Sequence, residues 1–179
     1  MRMPINGLFL AAVFTLAGSV MAGDEHKVNL QLTMQTQVNP NALALWEATN
    51  KAQDDEGNID PKKLDASAWS RLLEMGKAID GGGKALATGP GVIAASPGAA
   101  LQDESNAGAS KAADVQRYLD AKPAEFRKHA AKLQRAGAAI AEAAAKHDFK
   151  KLSELANSLD EVCEGCHVVF WYPQQNSGT

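Results

Sequence analysis

Cysteine occurs only twice in the 179 residues, at Cys163 and Cys166. The two are three positions apart, and a bridge between them would close too small a loop to stabilise the fold much. After the first two dozen residues, no stretch comes near the roughly 18 consecutive apolar residues that a membrane helix needs, so no membrane insertion is expected. Basic charge is also scarce. The formal net charge is −3, and without residues 1–22 there are 17 basic against 21 acidic side chains, about −4. Such a surface has neither the basic stripe of a nucleic-acid binder nor the basic amphipathic face that anionic lipid selects. It favours a partner that presents positive charge.

The first residues read as an export signal. Arg2 supplies a positive charge, Leu8 to Ala17 form a short apolar run, and Val20-Met21-Ala22 ends in small residues ahead of charged Asp24 and Glu25. Cleavage after Ala22 is expected, which places the protein in the periplasm. Residues 23–179 then suffice for one domain with a sizeable core.

Four segments carry apolar or small side chains at spacings of three and four, the seam of helices packed at a shallow angle. They are Leu30, Met34, Val38, Ala42, Leu45, Thr49 and Ala52; Trp69, Leu72, Gly76 and Ile79; Phe126, Ala130, Leu133, Gly137, Ile140 and Ala144; and Leu152, Leu155, Leu159, Val162, Cys166 and Val169. The last predicts a helix from about Phe149 to Phe170, with Pro173 just past its end. Pro40 predicts a kink in the first helix, not a stop. Residues 81–113, rich in Gly, Ala, Ser and Pro, read as a long mobile crossover. The expected fold is all-α, an antiparallel four-helix bundle.

On the last helix Cys163, Cys166 and His167 stand at i, i+3 and i+4 and share one face. Cys-x-x-Cys-His is the spacing of covalent haem attachment, with two thioether bonds to the porphyrin and the imidazole as axial iron ligand. Other chemistries use similar residues. A thioredoxin-like dithiol wants its first thiol at a helix N-terminus, and this pair lies late in a helix. A zinc site needs a fourth ligand, and His26, His129 and His147 lie off that turn. Met34 is a core methionine by spacing, and its thioether is also a soft iron ligand. Met75 is a spare candidate beside the seam. Trp46, Trp69, Phe126 and Phe170 are large enough to wall a haem pocket or simply to fill a core. His129 and His147 read as exposed imidazoles, and Arg71 or Lys128 could pair with haem propionates.

These features resemble the class II c-type cytochromes, the family that includes cytochrome c′, whose haem motif sits on the last of four helices. The likeness rests on "LANSLDEVCEGCHVVFWYP" and, more loosely, on "MQTQVNPNALALWEA" and "ASAWSRLLEMGKAI". It implies one haem c anchored by Cys163 and Cys166, His167 as proximal ligand, and Met34 on the opposite side of the haem. It also implies an exported electron carrier, not an enzyme, that serves redox partner proteins. Relatives often pair through their first two helices, so a homodimer is compatible with it. Where many relatives have a basic residue just after the motif, this chain has Val168-Val169-Phe170-Trp171. Two alternatives stay open at this point: a five-coordinate haem protein that binds nitric oxide or carbon monoxide, with Met34 only packing, and a haem-free thiol redox or zinc protein.

Overall fold

The computed structural model describes residues 27–102, 104–106 and 109–173; the expected signal peptide, 1–22, lies outside them, as does His26. The chain is mostly helical. A rod, α1, spans residues 30–51: α-helical over Leu30–Thr33, π-helical over Met34–Val38 and α-helical again over Asn39–Lys51. A 3₁₀ turn at Pro61–Lys63 leads to α2 (Ala66–Thr88), then α3 (Ala112–Ala121), α4 (Pro123–Ala145) and α5 (Phe149–Phe170). No helix among the described residues is long and apolar enough to cross a membrane.

The helix starts are written in the sequence. Side chains of Asn29, Asp65 and Asp148 accept the backbone N–H of Leu32, Ala68 and Lys151 and so satisfy donors that the first turn leaves free. Pro123 opens α4, where its missing N–H costs nothing. The turn from α4 into α5 puts His147 at φ 52°, a left-handed conformation that a non-glycine residue rarely adopts. His147 is exposed, as expected, but its ring also stacks on Trp69 at 4.8 Å.

Pro40 does not stop the helix, as expected, and a π segment lies just before it. Leu30, Met34, Val38 and Ala42 are spaced by four, and on a regular α-helix each such step turns the stripe about 40° further round. The bond from Asn39 N–H to the Met34 carbonyl closes a wider turn that takes this drift back. Leu30, Val38, Ala42 and Leu45 are all buried as a result, and Met34 lies half-buried beside them.

The expected crossover over 81–113 needs correction at both ends. Helix α2 runs on through Gly81, Gly82 and Gly83 to Thr88, and α3 has already begun at Ala112. At Gly83 α2 and α4 pack backbone to backbone, whereas Gly82 faces the Val38 and Thr33 side chains of α1. A Cβ on Gly83 would lie 2.4 Å from the Gln134 nitrogen, and one on Gly137 would lie 2.3 Å from the Asp80 nitrogen. Only hydrogen fits in those gaps. The remaining connection is tied down: Val28–Asn29 (β1) pairs in parallel with Val92–Ile93 (β2), the Gln31 side-chain amide donates to the Ala100 carbonyl, and Arg127 donates to the Ala87 and Gly89 carbonyls at the end of α2.

Two apolar clusters make the core. One gathers Val38, Leu45, Leu72, Ile79, Ile140, Leu152 and Leu159; the other gathers Leu30, Leu86, Val115, Leu119, Phe126 and Phe170. Met34 packs against both, Cys163 against the first and Cys166 against the second. The two thiols therefore sit at the seam between the clusters.

The glycine contacts define a test. Gly137→Ala should destabilise the fold by about 1–3 kcal/mol through overpacking, despite the better helix propensity of alanine. Gly81→Ala, with nothing within 4 Å of the new methyl, should instead stabilise by up to about 1 kcal/mol. Denaturant titration of both variants checks the contrast.

Candidate functional site

The site is built from α1 and α5, with one wall from α4. Cys163, Cys166 and His167 follow one another on the face of α5 that looks into a small inner cavity of about 40 Å³, which Met34 and Val38 of α1 and Phe126, His129 and Leu133 of α4 also line. A larger cleft of about 250 Å³ lies on the other side of the same residues. Its walls are Leu30 and Met34 of α1, then Cys166, His167, Phe170 and Trp171, with Gln31, Gln35, Asn39, Gln102 and Tyr172 as its polar lining. Met34, Asn39, Cys166 and His167 line both spaces. The four residues singled out from the sequence, Cys163, Cys166, His167 and Met34, are thus brought together around one cavity.

Other expectations divide. Phe126 and Phe170 meet edge to face at 5.4 Å beside the site. Trp46 and Trp69 line neither space: Trp46 Nε1 donates to the Ala156 carbonyl, and Trp69 stacks on His147. Met75 packs into the core away from the cavity. His129 was expected to be an exposed imidazole, and that is corrected. It is half-buried, sits against Gly165, and lies edge-on to Phe170 at 6.0 Å. A stripe drawn on one helix cannot show this, because α5 rather than α4 covers the ring. Among the described residues no lysine or arginine lines either space, Arg71 and Lys128 included. Arg71 instead donates to Ser67 on its own helix. The aromatic pair Trp171 and Tyr172 was missed, and their place beyond the helix end, outside any stripe, left no periodic signal for them.

Burial governs the chemistry. It pushes the Cys163 thiol up to about 11, with Asp160 and Glu164 adding to the shift, and the Cys166 thiol up to about 12, with Cys163 adding to it. Both sulfurs are free and neutral at pH 7. A thiol–disulfide exchange centre needs the opposite shift. Burial also lowers His167, against the pull of Glu164 and Asp160, so the imidazole is neutral with a lone pair available. Among the described residues, no three His, Cys, Asp or Glu side chains form a group arranged to hold a metal ion.

No protein-family profile, curated protein or solved structure matches the chain significantly.

With both cysteines free, the thiol shifts have a signed consequence. A thiol whose folded value lies above its unfolded one stabilises the fold fully below the unfolded value, near 9, and loses that stabilisation as pH rises toward the folded value. Stability of the protein in that form should therefore fall between pH 9 and 11. The fall should be shallower in Cys163→Ser, and alkylation of both thiols at pH 8 should be slow until denaturant is added. Denaturation curves over pH and timed iodoacetamide labelling measure these effects.

Proposed function

We propose that the chain is an exported, periplasmic mono-haem c-type cytochrome that carries electrons between redox partner proteins. In this reading α1, α2, α4 and α5 form an antiparallel four-helix bundle with the haem motif on its last helix. One observation carries it: Cys163, Cys166 and His167 face a cavity on one side of which stands Met34, brought there by a different helix. The residues fit the group. Two free thiols at i and i+3 would hold the group through two thioether bonds, and the neutral His167 imidazole and the Met34 thioether would offer its iron a nitrogen and a soft sulfur ligand. Bound there, haem would supply an iron centre that changes its charge by one electron.

The chain's own part is to hold and to shield. Cys163 and Cys166 would anchor the cofactor to α5, the most direct way to fix its register against His167. His167 and Met34 stand on separate helices that pack on a common core, so the distance between the donors is set by the fold and changes little with the charge between them. Apolar walls, Leu30, Leu86, Phe126 and Phe170 among them, exclude water and help to set the potential. The neutral, half-buried thiols weigh against the haem-free dithiol reading. No acid–base pair or activated nucleophile is called for.

Three measurements on protein matured in a host that attaches haem c test this. Intact mass should show one haem that survives acid–acetone extraction, and the ferric spectrum should be low-spin. Met34→Ala should turn the spectrum high-spin and let carbon monoxide bind the ferrous protein readily. A native spectrum that is already high-spin and unchanged by Met34→Ala would remove Met34 as a ligand and leave the gas-binding reading. Colourless protein with two free thiols would overturn haem altogether.

A further inference from the structure

This inference rests on the reading of His167 as the axial ligand and asks what holds its ring. A ligating histidine almost always donates its second ring nitrogen to a carboxylate, a carbonyl or water, and that bond fixes the ring's rotation. Among the described residues, no protein group makes a hydrogen bond to the His167 ring. What surrounds the ring instead is aromatic. The Tyr172 ring meets it at 5.9 Å and 61°, edge on, and the Trp171 ring lies at 6.4 Å and 44°.

The backbone puts them there. Helix α5 ends at Phe170, and the next two residues coil back instead of leaving. Trp171 N–H and Tyr172 N–H both donate to the carbonyl of His167, at 2.8 and 3.0 Å. The residue whose imidazole faces the cavity is thus also the one whose carbonyl fastens the chain end. Tyr172 is then pinned a second time, because its hydroxyl donates to the carboxylate of Glu164, one turn before His167. The span from Glu164 to Tyr172 closes over His167 as a short clasp. The phenol keeps its proton as the donor in this bond, since burial and the neighbouring carboxylate push its value up to about 12.

We infer that Tyr172, clasped to Glu164, is the positioning residue of His167: its ring edge fixes the rotation of the imidazole that a hydrogen bond fixes elsewhere. The arrangement assigns separate tasks to the two halves of the side chain. The ring makes the contact, and the hydroxyl keeps the ring in place.

The test compares Tyr172→Ala, Tyr172→Phe and Glu164→Gln in the full, matured protein, with intact mass first confirming one covalent haem in each. The readout is the ferric electron paramagnetic resonance spectrum, whose g-values and line widths report ligand orientation and do not respond to a general loss of stability. The native protein should give one narrow low-spin signal. Tyr172→Ala should split or shift it, Tyr172→Phe should keep its position but broaden it, and Glu164→Gln, which retains an acceptor for the hydroxyl, should restore the native signal. A native signal in Tyr172→Ala overturns the inference while leaving the cytochrome reading intact. If mass spectrometry shows no haem, the cytochrome reading fails separately, and the clasp is read from the His167 ring resonances by NMR. A single sharp ring signal in the native chain that becomes averaged in Tyr172→Ala supports it, and no change refutes it.

Discussion

The whole site depends on α5 staying helical through its last turn. Cys163, Cys166 and His167 share a face only while each residue advances by the α-helical angle, and they lie where a helix normally frays, within a few residues of carbonyls that have no intrahelical partner. The fold answers the fraying locally. Two N–H groups from beyond the helix end converge on the His167 carbonyl, and Phe170 is buried in the second core cluster. Helix α1 faces a related problem from the other side. Its spacing by fours would carry the apolar stripe away from the core, and the π turn over Met34–Val38 keeps Met34 where both clusters reach it.

The electrostatics of the site are those of neutral donors. The charged groups that bear on Cys163 and His167 are carboxylates, Asp160 and Glu164, and no cation lines the cavity walls. Burial outweighs these carboxylates at His167, where the two effects oppose, and adds to them at Cys163. The outcome is the same for both residues: an uncharged side chain at neutral pH, held in an apolar surround.

Much of the fold was legible because a helix buries a stripe, and stripes are a property of spacing. Phe126, Ala130, Leu133, Ile140 and Ala144 are all buried as the pattern implies, and α5 spans the predicted residues. The triple glycine at 81–83 was misread for a physical reason: glycine is a poor helix former by itself, and only tertiary neighbours, the α4 backbone at Gly83 and the Val38 side chain at Gly82, turn that weakness into a requirement at two of the three positions. His129 was misplaced for the same kind of reason, since its surroundings belong to another helix. The short helix α3 and the Trp171–Tyr172 fold-back carry no period long enough to read. At the site, the motif on α5 and Met34 were visible as residues, but their meeting across one cavity is a tertiary fact.

Helices α2 and α4 touch through backbone atoms, with Gly76, Gly83 and Gly137 leaving no side chains between them, whereas α1 and α5 meet only sparingly. The molecule thus has a tightly packed spine and a sparsely packed mouth. The helices that carry Met34 and His167 are therefore held in place chiefly by a spine to which neither residue belongs.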